Sequence, residues 1–95
     1  MTVAIPSGIV SFLFTDVEGS TRLWDADSAG MAASLALHDD IMRGACAAHG
    51  GHVFSTAGDA FAVAFATAAD AVSAATDIQV GLRRADWPGP ALVVR

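Results

Sequence analysis

Two strand-like runs, residues 53–57 and 60–65, are separated only by Gly58-Asp59. Runs this close can pair as neighbours only in antiparallel fashion. A two-residue loop that opens with Gly fits a type II′ hairpin, in which the first central residue takes positive φ. Asp59 then stands at the hairpin tip. A further apolar run, Ile9-Val10-Ser11-Phe12-Leu13-Phe14, also has strand composition, and Asp16 follows it. That position is the carboxyl end of a strand, where open α/β sheets place ligands.

The turn after Asp16 has the chemistry of a phosphate site. Gly19 lets backbone approach a ligand closely, and Ser20 and Thr21 are expected to cap a helix begun by Arg22-Leu23-Trp24, whose free N–H groups attract phosphate. One carboxylate does not hold a magnesium ion by itself, so a second hard oxygen ligand is needed. Asp59 supplies it if the hairpin tip lies beside the end of the first strand.

The rest of the chain alternates helix and strand signals. Residues 28–48 read as a helix with Asp39, Asp40 and Arg43 on its polar side and Leu35, Leu37, Ile41, Met42 and Ala45 on the remainder. Gly50-Gly51 ends it. A second helix opens at Thr67, whose hydroxyl caps while Asp70 occupies the first turn. Ala71, Ala74, Ala75, Ile78, Leu82 and Ala85 keep helical spacing to Trp87-Pro88-Gly89-Pro90, which stops the helix. Residues 91–94 are expected to begin another strand. The order βαββαβ is that of a ferredoxin-like α+β sheet. No repeat or linker divides residues 1–95, so one domain is expected.

Composition excludes several classes. Ten acidic residues face five arginines and no lysine, for a net charge of −5, which leaves nucleic acid no basic stripe to meet. Residues 1–14 carry no charged side chain, yet they have no basic start, Pro6 and Gly8 interrupt them, and the run 9–14 is too short to span a bilayer. The single Cys46 forbids an internal disulfide and suits a cytoplasmic location. Much of the 54% hydrophobic fraction is alanine, so a thin core and modest stability are expected.

Phe14-Thr15-Asp16-Val17-Glu18-Gly19-Ser20-Thr21 and the Gly58-Asp59 hairpin together resemble the class III adenylate and guanylate cyclases. In that family an F-T-D-hydrophobic-x-G-S/T turn and a G-D hairpin carry two metal-binding aspartates, in this order. Leu37-His38-Asp39-Asp40, His49-Gly50-Gly51, and Trp87-Pro88 with Leu92-Val93-Val94-Arg95 are similar to bacterial members. The resemblance implies a ferredoxin-like cyclase core, here its N-terminal half, truncated at the last strand. It implies two Mg²⁺ or Mn²⁺ ions held by Asp16, the Val17 carbonyl and Asp59. A nucleoside triphosphate, ATP or GTP, would contact Asp16, Val17, Glu18, Gly19, Ser20, Thr21, Ser55 and Gly58. Ser55 stands where many adenylate cyclases carry an adenine-recognising lysine. The family's later acidic purine contact and its transition-state asparagine and arginine have no matching positions. The resemblance therefore implies no catalytic residue of that kind here, and a complementary cyclase subunit as partner.

The residues admit two other readings. Asp16-Val17-Glu18-Gly19-Ser20 also resembles the D-x-D-G-T turn of haloacid dehalogenase-type phosphohydrolases. That chemistry wants an aspartate at Glu18, an acid at Val63 and a lysine, which this chain lacks. A non-catalytic interaction module would use an open sheet edge to recruit a partner. His49 and His52, split by Gly-Gly and without a third soft ligand, read as loop residues. His38 reads as a satisfied, partly buried imidazole.

Overall fold

The computed structural model describes residue 8 and residues 10–95, in the order β1 (Ser11–Thr15), α1 (Ser20–Ala26), α2 (Ser28–Ala48), β2 (His52–Ala57), β3 (Ala60–Phe65) and α3 (Ala68–Arg84). The strands form one antiparallel sheet in the order β1-β3-β2. Ile9, expected in the first strand, lies outside the described residues, as does most of the uncharged N-terminal stretch.

The hairpin forms as its loop dictates. Ala57 pairs with Ala60, Gly58 takes φ of 60°, and Asp59, like every non-glycine residue among those described, does not have positive φ, the signature of a type II′ turn. β2 also holds a bulge that the alternation pattern conceals. Val53 faces Val63, but Ser55 faces Ala62, so Phe54 is the extra residue. The bulge turns Ser55 onto the sheet face that carries Phe14, which pairs with the same Ala62.

The inner face of β3 packs Phe61, Val63 and Phe65 beneath α2 and α3, where Met31, Met42, Cys46, Ala74, Ile78 and Leu82 complete the core. The buried positions of α2 are Met31, Ser34, His38, Met42 and Cys46, at helical spacing. Phe65 is fully enclosed, and its ring lies where a Cβ on Gly51 would come within 2.6 Å, so only glycine fits there. The other sheet face is bare. Phe12, Phe14 and Phe54 are 55%, 68% and 48% exposed, with Phe12 edge-on to Phe54 at 5.7 Å.

Several expectations need correction. The strand at residues 91–94 is reduced to a single antiparallel bridge between Val94 and Val17. Pro88 and Pro90 lack N–H donors, and the partner segment turns into α1 at Gly19, so the ladder has room for only three residues. Ser20 and Thr21 do not cap α1. They lie inside it, and Gly19 at φ of 66° is the cap residue, with no side-chain bond. Ala85 follows α3 as its C-cap in extended conformation, before Trp87 is reached.

His38 is wholly buried and only half satisfied: Nδ1 is 2.9 Å from Asp39 Oδ1, while Nε2 has no partner. His49 Nε2 lies 2.7 Å from Asp77 Oδ2 on α3 and ties the end of α2 to that helix. Burial pushes the Cys46 thiol up against a smaller opposing pull from Arg43, so it stays protonated at neutral pH.

Two caps behave as side-chain chemistry requires. Asp27 accepts from the Gly30 N–H at 2.9 Å, and Thr67 Oγ1 from the Asp70 N–H at 3.1 Å. Thr67→Ala is expected to lower stability by about 1 kcal/mol, measured as a shift in urea midpoint with unchanged slope.

Candidate functional site

β1 ends at Thr15, and its extension does the positioning. Asp16 N–H donates to the Arg95 carbonyl at 2.9 Å, Arg95 N–H to the Asp16 carbonyl at 3.0 Å, and Glu18 N–H to the Val93 carbonyl at 2.8 Å. In such a ladder the intervening Val17 is a non-hydrogen-bonded pair with Val94, so its own N–H and C=O point to the opposite side. That side is where the hairpin tip arrives. Val17 N–H donates to Asp59 Oδ1 at 3.3 Å, a contact between residues 42 apart in sequence. The Val17 side chain is buried in the core and anchors the turn.

Asp16, Val17, Gly19, Ser20, Thr21 and Asp59 therefore line one polar cleft of about 520 Å³. Asp25, Arg22 and Arg95 line it too, and residue-by-residue reading of the sequence did not mark these three. The signal for Arg95 was available. A terminal strand of a βαββαβ order has to pair somewhere, and the free side of β1 was open.

A second, apolar cleft of about 480 Å³ opens on the bare sheet face, lined by Phe14, Ser55, Ala57, Phe61 and Ala62 among others, and it shares Asp16 and Arg95 with the first. Ser55 belongs to this apolar cleft, not to the polar one. Gly58 lines neither, and its role is the turn that holds Asp59. Glu18 lies around the corner, lining a groove with Leu23, Ala91 and Val93.

The donor chemistry at the polar cleft suits a hard divalent cation: two carboxylates and a backbone carbonyl, with no sulfur or imidazole. Among the described residues no three His, Cys, Asp or Glu side chains cluster as metal ligands, so Asp25 stands apart from the pair and any third protein donor is backbone. A cation already occupies one carboxylate, since Arg95 Nε lies 3.0 Å from Asp16 Oδ1.

The α+β domain sets Asp16 and Asp59 along one cleft with the Gly19 turn, and comparison with known proteins shows its family. The family model for the adenylate and guanylate cyclase catalytic domain matches residues 3–86. The chain is 41% identical over 86 residues to an adenylate cyclase of Lachancea kluyveri, covering 90% of this chain and 5% of that protein. It is 40% identical over 78 residues to a receptor-type adenylate cyclase of Trypanosoma congolense, covering 82% and 10%.

Among solved structures, an adenylate cyclase from Trypanosoma brucei in its monomeric state superposes with a TM-score of 0.80 at 33% identity, over 82% of this chain and 34% of that one. The guanylate cyclase domain of RhGC from Catenaria anguillulae in complex with GTP superposes at 0.79 with 20% identity, over 90% and 52%, and speaks to the fold alone. The chain belongs to the adenylate and guanylate cyclase catalytic-domain family, and spans a tenth or less of the length of these two named cyclases and a third to a half of these two solved chains.

Proposed function

We propose that these 95 residues supply the metal- and triphosphate-binding half of a nucleotide cyclase centre, whose reaction turns ATP into cyclic AMP and pyrophosphate, in cyclic nucleotide signalling. The observation that supports it best is the Val17 N–H bond to Asp59, because it brings the second carboxylate against the end of β1. Asp16, Asp59 and the Val17 carbonyl would hold the two Mg²⁺ or Mn²⁺ ions. When bound, such ions supply activation of the ribose 3′-hydroxyl and neutralise phosphate charge.

The chain's own contribution is placement. Gly19 puts no side chain of its own where the pyrophosphate portion would rest, the Arg22 guanidinium lies close by, and Ser20 and Thr21 border it. The apolar cleft with Ser55 is the place for the purine. Thr15 and Ser55 are its two hydroxyl residues, its charged residues Asp16 and Arg95 are shared with the polar cleft, and no lysine stands at Ser55, so both ATP and GTP are substrates to test. The bare face with Phe12, Phe14 and Phe54 is the surface a complementary cyclase domain would cover. Among the described residues no helix is long and apolar enough to cross a membrane.

Titration calorimetry tests the reading. Wild type with Mn²⁺ and ATP is expected to give saturable heat, and the Asp16→Ala, Asp59→Ala double variant none. Indistinguishable heats would favour a non-catalytic interaction module built on the same aromatic face.

A further inference from the structure

We propose that Arg43 is a positioning residue for the candidate site: from α2 its guanidinium bears on the Phe61 ring, and Phe61 is the last rung that joins the hairpin to β1. The hold on that rung keeps Asp59 against the turn. The inference rests on the preceding assignment of Asp59 as a metal ligand, and goes beyond it in tying that carboxylate to a helix outside the polar cleft.

Register makes Phe61 the pivot. β1 and β3 pair from Ser11 with Phe65 to Thr15 with Phe61, and Phe61 also faces Thr56 on β2. Past this rung β3 has no further pair with β1, and Asp59 crosses to Val17 by one side-chain bond of 3.3 Å, long for an N–H donor. Element ends open before their middles do. A contact this weak therefore leaves the placing of Asp59 to whatever stops the last rung from fraying.

Two side chains of α2 hold the ring. His38, wholly buried, meets it edge-on with centroids 5.8 Å apart, and the Arg43 guanidinium carbon lies 5.4 Å from its centroid. Asp39 Oδ1 takes the other side of the imidazole, 2.9 Å from Nδ1. Among the described residues Arg43 forms no salt bridge, so no carboxylate draws its charge from the ring. Arg43 itself is exposed while Phe61 is buried, as expected when an arginine stem covers apolar surface and keeps its head in water. α2 packs on α3 and β2, which anchors the clamp in the rigid part of the domain.

Arg43→Met separates placement from charge. It keeps a long stem and good helix propensity and removes only the cation. By electrostatics alone, losing a positive charge draws Mn²⁺ tighter. Loss of placement has the opposite sign, because only the fraction of molecules with Asp59 in place binds the ion.

The test is Mn²⁺ alone, titrated by electron paramagnetic resonance against wild type, Arg43→Met, Arg43→Lys and Asp59→Ala, with amide hydrogen exchange of the metal-free proteins followed by nuclear magnetic resonance. Arg43→Met is expected to bind Mn²⁺ about two- to fivefold more weakly, the range of an exposed cation–π pair. The Val17 amide, which Asp59 covers, should exchange faster by a similar factor, while Val63 in the middle of β3 keeps its wild-type rate. Arg43→Lys keeps a cation for the ring and should restore both readings to within twofold of wild type, and Asp59→Ala should abolish the tight site. Unchanged or tighter Mn²⁺ binding by Arg43→Met, with Asp59→Ala still defective, would overturn the clamp and leave the metal site standing. Equal acceleration at Val17 and Val63 would reduce the effect to general destabilisation and overturn it as well. Mn²⁺ binding indifferent to Asp59→Ala would remove the metal assignment, and the inference with it.

Discussion

A polypeptide of these 95 residues, supplied with Mn²⁺ and ATP or GTP, is expected to release no cyclic nucleotide above background. Asp16, Asp59 and the glycine turn can position a triphosphate, but charge developing on the transferring phosphorus needs further preorganised donors. The family resemblance draws those donors from an asparagine and an arginine, and this sequence contains no asparagine at all.

Removing one such donor costs on the order of 10² to 10³ in rate, and removing several together with the purine contacts leaves turnover at background. Pairing two copies does not restore them. A full-length cyclase whose own metal aspartates are mutated should restore activity, because it contributes the missing groups while this chain contributes Asp16 and Asp59. The assay is cyclic nucleotide formed by chain alone, partner alone and the mixture, with Asp16→Ala as control. Strong Asp16-dependent product from the chain alone would mean that a residue within it acts as the transition-state donor.

Phe65→Ala is expected to bring the fold to the edge of unfolding at room temperature. Phe65 lies on β3, the central strand, is fully enclosed, and is the largest of the wholly buried side chains. Its truncation should cost about 3–5 kcal/mol, against a stability for a domain of this size near the low end of the usual 5–15 kcal/mol. Gly51→Ala attacks the same contact from the other side. Its new methyl would fall 2.6 Å from the Phe65 ring and 3.0 Å from the Cys46 carbonyl, at an expected cost of about 1–3 kcal/mol. Urea denaturation of both variants checks this, and a Phe65→Ala midpoint within a few tenths molar of wild type would show that the core does not depend on that ring.

What the sequence made legible was mostly what local chemistry decides. The type II′ turn at Gly58-Asp59, the bounds of α2 and the Thr67 cap follow from residues within a few positions of each other, and the structure has them as expected. The expectation that the hairpin tip carrying Asp59 lies beside the end of β1 comes from the hairpin itself, and the Val17 contact accords with it.

What was missed depends on tertiary surroundings. Ser20 and Thr21 have capping side chains, but the turn enters α1 through a left-handed Gly19 and leaves them inside the helix. The bulge at Phe54 re-aims Ser55 without any glycine to mark it. His38 looked like an ordinary half-buried imidazole, yet the packing of α2 encloses it and leaves Nε2 unpartnered, along with Ser34 Oγ one turn earlier. Arg95 closed the list of family-like residues, and nothing nearby in sequence announces its bond to Asp16.

That bond also sets a clock. Asp16 and Arg95 are 79 residues apart, and among the described residues the backbone of Asp16 pairs with that of Arg95. At about 5–20 residues per second on the ribosome, Asp16 emerges roughly 4 to 16 s before its partner is made. Throughout that interval β1 has a free edge and the carboxylate no counter-charge, while the local helices α1 and α2 form in microseconds. The nascent domain thus acquires its scaffold early and its site last, and Arg95 is the residue whose synthesis marks the change.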